Sequence, residues 1–499
     1  MSATQTAGLA QLIERRAALA PADIAISFED QTVDAEALWQ ATLAMAGRLR
    51  RLGIGVGDRV ALLGTNSPEF LILLFACARL GALLVPLNWR LAAPEHAYML
   101  EDADADLLIY ETAFAEHVAM LAASRPSCRM FDLKAFVDLS GDAAAEPAGV
   151  ADSAVLIVYT SGTTGRPKGA VLTQSALIWN AMNATLMHAL TASDHVLTTL
   201  PLFHVGGLNI QTLPVLLGGG RVTLHRRFDS GATLAAIASA RPSLTVLVPA
   251  QIAALIAHPA WNVTDLSSLR LVATGSMIVP VPLIEAFHAR GVPVVQVYGS
   301  TETAPIAIYL SREDHARKIG SCGKAAPHCV ARIVGRDGTD VAPGERGEIL
   351  LRGPNLMREY WRDPAATELA FAAGWFHTGD IAHQDEEGYF FIDERKNDLI
   401  ISGGENIYPA ELEAILAEEP RIAEAAVVGR PDPRWGEVPV AYVVPREGAT
   451  ITSDEILARF AGRIARFKHP HAVIVTDSLP KNALGKVLRY HLRETLRRG

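Results

Sequence analysis

Val155-Leu-Ile-Val-Tyr-Thr160-Ser-Gly-Thr-Thr164-Gly-Arg-Pro-Lys168-Gly169 decides the fold. Val155 to Val158 is a short apolar run and reads as a buried strand. It breaks into a loop made of Thr160, Ser161, Gly162, Thr163, Thr164, Gly165, Arg166, Pro167, Lys168 and Gly169. Glycines let backbone N–H groups turn toward an anion with no Cβ in the way. The hydroxyls of Thr160, Ser161, Thr163 and Thr164 add donors, and Lys168 adds a positive charge. These are the parts of a polyphosphate cradle. The spacing is not G-x-x-x-x-G-K-[ST], because Gly169 follows Lys168 where a Walker loop needs Ser or Thr. On composition alone a plain turn after a strand competes with phosphate binding.

Working outward, 499 residues exceed one ordinary core, so two or more domains are expected. Half the residues are hydrophobic and 20% are charged, as in a globular enzyme. A net charge of -9 argues against a general nucleic-acid binder. Cys77, Cys128, Cys322 and Cys329 have neither close pairing nor zinc spacing and read as reduced thiols. Met1 to Gln11 lacks a basic-then-apolar signal pattern, and a cytoplasmic location is expected. Arg79, Gly81 and Pro86 interrupt the apolar run Phe70 to Leu87, which suits a buried helix and strand better than a membrane span.

Strand and helix patterns alternate along most of the chain. Helices are expected at Leu9 to Leu19, Ala35 to Leu52 and Ala93 to Glu101, and one begins at Ser67-Pro68-Glu69 with a cap, a first-turn proline and an acid for the dipole. Strands are expected at Ile24 to Phe28, Gln31 to Val33, Arg59 to Leu63, Leu83 to Pro86 and Leu107 to Tyr110. The alternation resumes from Val196 to Val297. It implies parallel sheets covered by helices. After Arg395 the pattern is that of a small α+β unit. Helices are expected there from Pro409 through Glu418, over Ser453 to Ile464 and from Lys486 to Arg498; strands are expected at Ala425 to Val428, Val438 to Val444 and Ala472 to Val475. The fold class is therefore α/β: a large N-terminal domain of layered sheets and helices, 1–395, and a small α+β C-terminal domain, 396–499.

The loop Thr160 to Gly169 closely resembles the phosphate loop of the adenylate-forming superfamily, which includes acyl-CoA synthetases, aryl-CoA ligases, luciferases and peptide-synthetase adenylation domains. Further stations follow in that family's order: Pro201-Leu-Phe-His204-Val-Gly-Gly207, Thr274-Gly275-Ser276-Met277, Gln296-Val-Tyr298-Gly-Ser-Thr301-Glu302-Thr303, Gly374-Trp-Phe-His377-Thr-Gly-Asp380, Asp393-Glu-Arg395, Ser402-Gly-Gly-Glu405 and Leu479-Pro-Lys481-Asn-Ala-Leu-Gly485-Lys486. The resemblance spans essentially the whole chain.

The resemblance implies roles residue by residue. ATP or AMP would meet Thr160, Ser161, Gly162, Thr163, Thr164, Lys168, Gln296, Gly299, Thr301 and Lys486, with Tyr298 stacked on adenine and Asp380 and Arg395 on the ribose. Glu302 and Thr160 would hold Mg²⁺. The acid's pocket would be bordered by His204, Val205, Gly206, Gly207, Gly275, Ser276 and Met277. Ser402, Gly403 and Gly404 would line the CoA tunnel. Lys486 would bridge carboxylate and α-phosphate, with Lys168, Glu302 and His204 also in the catalytic group, and Asn397 would be the hinge that makes the small C-terminal domain mobile.

The implied activity is acid–CoA ligation through an acyl-adenylate, with ATP, CoA and an apolar carboxylic acid as partners. Amino-acid-activating relatives place Asp directly after the Phe; this chain has His204 there, which counts against an amino acid. Val205 to Ile210 and Thr274 to Met277 hold no Arg or Lys to pair a second carboxylate. Gly206 and Gly207 are read as removing side-chain walls, so a medium- or long-chain fatty acid comes first and an arylpropenoate such as coumarate or ferulate second. A stand-alone acyl-AMP ligase serving a carrier protein, an inactive ligase-fold binding module and a homodimeric assembly also stand among the expectations. No nucleic acid and no transmembrane segment are expected.

Overall fold

The computed structural model describes residues 7–124, 127–139, 146–160, 166–276, 279–335, 337–395, 399–480 and 487–498. The chain is α/β and divides into two compact units. The larger comprises residues 1–89, 100–158 and 169–394; the smaller comprises 90–99, 159–168 and 395–499.

Three sheets build most of the larger unit. A seven-stranded sheet runs in the order Glu359–Tyr360, Lys168–Thr173, Ala154–Thr160, Leu83–Leu87, Arg59–Leu63, Leu107–Tyr110, Arg129–Asp132. The strands from Ala154–Thr160 through Arg129–Asp132 pair in parallel, and the short Glu359–Tyr360 edge is antiparallel to Lys168–Thr173. A parallel strand is covered on both faces, so it reads as an unbroken apolar run. Leu83–Leu87 is buried at every position for that reason. The helix Pro68–Leu80 ends at Gly81, whose φ of 73° is left-handed and open to glycine. Ser67 sits at the cap position without a side-chain cap bond, so the proline and the backbone start this helix.

A nine-stranded sheet runs Lys324–Ala325, Ile308–Tyr309, Val294–Tyr298, Leu271–Gly275, Leu244–Val246, His195–Thr198, Arg221–Leu224, Ile24–Phe28, Gln31–Asp34. It is parallel from Val294–Tyr298 to Ile24–Phe28 and antiparallel at both ends. A four-stranded sheet, Val330–Val334, Gly347–Arg352, Phe376–Gln384, Phe390–Arg395, completes the unit.

The smaller unit carries a five-stranded sheet. Its order is Glu405–Ile407, Ile400–Ser402, Gly436–Pro445, Ile422–Asp432, with Ala472–Val475 also beside Gly436–Pro445. Ile400, Leu412, Leu416, Val427, Val443 and Phe460 form its core. The helix expected over Ser453 to Ile464 stops at Ala458. Gly462 takes a φ of 71°, which a right-handed helix cannot hold. Within this unit Lys468 is 4% exposed, with its Nζ 2.6 Å from Glu95 Oε1 and 2.8 Å from Glu411 Oε1. Burial works against the ammonium, but the two carboxylates hold its pKa above the usual lysine value. Removing one partner of such a group leaves an uncompensated buried charge.

All four cysteines are free and buried. Burial pushes the thiols of Cys77 and Cys322 up, and that of Cys329 up to about 11. No described helix is long and apolar enough to cross a membrane.

Two buried imidazoles make the larger unit acid-sensitive. His188 Nδ1 donates to the Ala184 carbonyl at 3.0 Å, and His195 Nε2 lies 2.7 Å from Thr223 Oγ1. Burial pushes the pKa of each down to about 4. A lowered folded value means that the unfolded chain binds the proton first. Stability is therefore fully present above about pH 6.5 and drains away as the pH falls toward 4, by about 3 kcal/mol for each histidine at the low end. Urea midpoints measured between pH 7 and 4 should fall steeply, and the slope should flatten in a His188→Gln/His195→Gln variant. An unchanged slope in that variant would assign the acid sensitivity to other groups.

Candidate active site

Strand Val294–Tyr298 ends in a turn that carries the nucleotide candidates. Tyr298 and Asp380 are each 9% exposed, and the tyrosine hydroxyl donates to Asp380 Oδ2 at 2.7 Å. The structure thus brings together two candidates that lie 82 residues apart. Thr378 Oγ1 accepts from the Asp380 N–H at 3.1 Å, which anchors the carboxylate's backbone. Gln296 is buried, and its Nε2 donates to the Ser321 carbonyl at 2.8 Å. At Gly299 a Cβ would run into the Pro305 carbonyl oxygen, so only glycine fits where the chain doubles back. Thr301 is buried in the 3₁₀ turn Thr301–Thr303.

Glu302 follows in that turn. Its Oε1 accepts from the Tyr360 hydroxyl at 2.8 Å, while its main-chain carbonyl accepts from Met357 N–H at 2.7 Å. Tyr360 lies on the edge strand paired with Lys168–Thr173, with Tyr360 opposite Ala170. One tyrosine therefore ties the carboxylate to the sheet that follows the phosphate loop. Sequence reasoning missed Tyr360, because an isolated tyrosine between Glu359 and Trp361 carries no local signal. Oε2 has no partner among the described residues. A carboxylate with one oxygen steadied and one left over fits Mg²⁺, which takes one or two carboxylates together with substrate phosphates.

Three buried asparagines brace the same turn. Asn180 Nδ2 donates to the Asn209 carbonyl at 2.7 Å, and its Oδ1 accepts from Ile306 N–H at 2.9 Å. Asn355 Nδ2 donates to the carbonyls of Thr303 and Ile306 at 2.7 and 3.1 Å. Asn183 Oδ1 accepts from His328 N–H at 3.2 Å. Buried amides with both ends engaged hold backbone in one arrangement. None of the three stood out in the sequence.

On the acyl side, His204 is partly exposed and caps a short helical turn, Val205–Gly207, that continues as the π turn Leu208–Thr212. Val205 is buried. The two glycines differ. A Cβ on Gly206 would meet only Ile210 Cδ1, at 4.0 Å, so there is space beside it. A Cβ on Gly207 would strike the carbonyl oxygen of Pro201. The reading that both glycines remove a wall is therefore corrected: Gly207 is needed for backbone packing, and only Gly206 opens space. Gly275 likewise packs against the Val297 carbonyl. Ser276 is exposed with a φ of 72°, an uncommon backbone for a non-glycine residue.

In the smaller unit, Thr160 ends strand Ala154–Thr160 and Lys168 begins strand Lys168–Thr173, with Thr160 Oγ1 3.5 Å from the Lys168 carbonyl. Ser402, Gly403 and Gly404 form a hairpin turn between Ile400–Ser402 and Glu405–Ile407. Gly403 and Gly404 have φ of 60° and 87°, the paired positive values of a two-residue turn that favours Gly-Gly. Trp435 covers this turn: a Cβ on Gly403 would lie 3.0 Å from its ring, and Gly403 N–H donates to the Trp435 carbonyl at 2.7 Å. The indole is 38% exposed and, like Tyr360, had no signal in its own neighbourhood. Arg395 ends strand Phe390–Arg395. Ser161, Gly162, Thr163, Thr164, Met277, Asn397 and Lys486 lie outside the described residues.

The AMP-binding enzyme family matches residues 13–361, and the AMP-binding enzyme C-terminal domain matches residues 411–486. The chain belongs to this family of adenylate-forming enzymes. It is an ATP-dependent acid–CoA ligase. An indoleacetate–CoA ligase of Aromatoleum aromaticum is 52% identical over 98% of both chains. A feruloyl-CoA synthase of an Amycolatopsis species is 44% identical, over 97% of this chain and 98% of that protein. A double mutant of o-succinylbenzoate CoA synthetase from Bacillus subtilis, solved with its product analogue, superposes with a TM-score of 0.90 at 35% identity, covering 97% of this chain and 98% of that one. The same enzyme has been solved with ATP and magnesium ion, at a TM-score of 0.73 and 34% identity, covering 97% of this chain and 99% of that one.

Proposed function

We propose that this ligase activates an aryl-substituted carboxylic acid, an arylacetate or arylpropenoate, in the cytoplasm. The observation that carries this is the space beside Gly206, bounded by Ile210 and uncharged, next to His204. A flat ring needs breadth close to the carboxylate, which a missing side chain at this position supplies. Two full-length relatives named for aromatic acids support this choice over the medium- or long-chain fatty acid.

A carboxylate is a poor acyl donor, because its leaving group would be oxide. Attack on the α-phosphorus of ATP releases pyrophosphate and converts that oxide into AMP. Tyr298 and Asp380 hold the nucleoside, Asp380 accepting from the ribose hydroxyls with its two oxygens. Gln296, tied to Ser321, and Gly299 shape the adenine side; Thr301 donates to the α-phosphate. Lys168 and the loop residues Ser161, Gly162, Thr163 and Thr164 neutralise the phosphates, and Lys486 meets the charge developing between acid and phosphorus. Glu302 and Thr160 would hold Mg²⁺, which when bound screens phosphate charge. The CoA thiol then attacks the acyl carbon and displaces AMP, with Ser402, Gly403 and Gly404 along its approach. Arg395 joins Asp380 at the ribose, and Asn397 is the hinge about which the smaller domain, read as 396–499, would turn between the half-reactions.

ATP–pyrophosphate exchange with a panel of acids, followed by assay for the CoA ester, tests the proposal. Aryl acids should support both. Exchange with fatty acids alone would overturn the aryl assignment, exchange without a CoA ester would indicate a carrier-protein ligase, and no exchange with any acid would leave a binding module.

The two glycines give a second check. Gly206→Leu should fold normally but raise the KM for the aryl acid about tenfold, since a single pocket side chain discriminates at that scale. Gly207→Ala should instead lower stability by about 1–3 kcal/mol through overpacking. Equal urea midpoints for the two variants would remove the distinction between them.

A further inference from the structure

The π turn Leu208–Thr212 holds two buried amide side chains with nothing to bond. Gln211 is 0% exposed and Asn209 is 1% exposed. The side-chain nitrogen and oxygen of both lack a hydrogen-bond partner among the described residues. Buried polar groups are normally paired, and each one left unpaired is costly. Two complete amides without partners, three and five residues past the open Gly206, need a reason. π turns are uncommon and concentrate at functional sites.

The turn's other groups are accounted for. The Asn209 carbonyl accepts from Asn180 on helix Gln174–His188. Thr212 Oγ1 lies 2.7 Å from Thr198 Oγ1 and donates to the Gly207 carbonyl at 2.6 Å, which turns that flank toward strand His195–Thr198. Ile210 stands beside Gly206. Gln211 follows Ile210 and precedes Thr212 in the same turn. Its amide offers both a donor and an acceptor.

We infer that Gln211 selects the acid by accepting a hydrogen bond from a donor on the substrate's ring, an indole N–H or a phenol O–H. This rests on the aryl-acid reading above and names the kind of aryl acid. A pocket whose amide waits for a donor should reject the analogue that lacks one more strongly than an apolar pocket rejects a homologue, because the amide is then left unpaired.

The test compares matched acids in pyrophosphate exchange with the full chain. Indoleacetate is set against its benzothiophene counterpart, in which sulfur replaces the ring N–H, and ferulate against the same acid without its phenol hydroxyl. Wild type should favour the donor acid of the pair it uses by about tenfold or more in kcat/KM. Gln211→Met, similar in length and apolar, should erase that preference by slowing the donor acid while sparing or improving the other, and the retained rate shows that the variant folds. Asn209→Leu should leave the preference intact. Equal losses on both acids in Gln211→Met, or a preference erased by Asn209→Leu alone, would overturn the inference with the aryl assignment standing. Failure of every aryl acid in wild type would overturn both.

Discussion

Lys486→Ala should abolish acyl-adenylate formation while leaving thioester formation from supplied acyl-AMP nearly unchanged. The two half-reactions ask for opposite things at the acyl carbon. Adenylation brings a carboxylate up to a polyphosphate, and a cation between them lowers the barrier. Loss of a preorganised charge of that kind costs about 10²–10³ or more in rate. The thiol step begins from an adenylate already made, with AMP as leaving group, and needs no such bridge. Pyrophosphate exchange and acyl-AMP-dependent CoA consumption measure the steps separately. Equal loss in both would show that Lys486 serves the whole fold or both reactions.

Glu302→Gln is the second large effect. The substitution keeps the shape of the side chain and its bond from Tyr360, which donates to Oε1 at 2.8 Å. It removes the charge. Adenylation should fall by about 10²–10³, with the remaining rate needing much higher Mg²⁺. Tyr360→Phe keeps the charge but frees the carboxylate to turn, so it should cost about tenfold or less with a smaller rise in Mg²⁺ requirement. A Glu302→Gln enzyme with normal rate and normal Mg²⁺ dependence would remove Glu302 from the metal site.

Local chemistry was legible in the residues themselves. Strand Arg59–Leu63, helix Leu9–Leu19 and strand Leu107–Tyr110 have the bounds that their apolar spacing implies. The strands of the smaller unit are longer than their apolar cores, because Ile422–Asp432 and Gly436–Pro445 continue their ladder into polar residues. Backbone pairing does not require an apolar side chain at each rung, so the ends of a hairpin are poorly marked in composition. Periodicity also carried the helix from Ser453 past Ala458, where Gly462 turns the chain instead.

The amino-acid order by itself determined the α/β class, the family and the stations at which chemistry is expected, because each station is a short run whose residue types and spacing are local to the chain. Only the tertiary structure decided what lies between stations: the hydroxyl of Tyr360 on Glu302, that of Tyr298 on Asp380, the carbonyl of Pro201 that separates Gly207 from Gly206, and the unpaired amide of Gln211. Each depends on which strand or turn is brought alongside another, often across tens of residues or more. Sheet register and close packing set that neighbour, and no local run of residues records it.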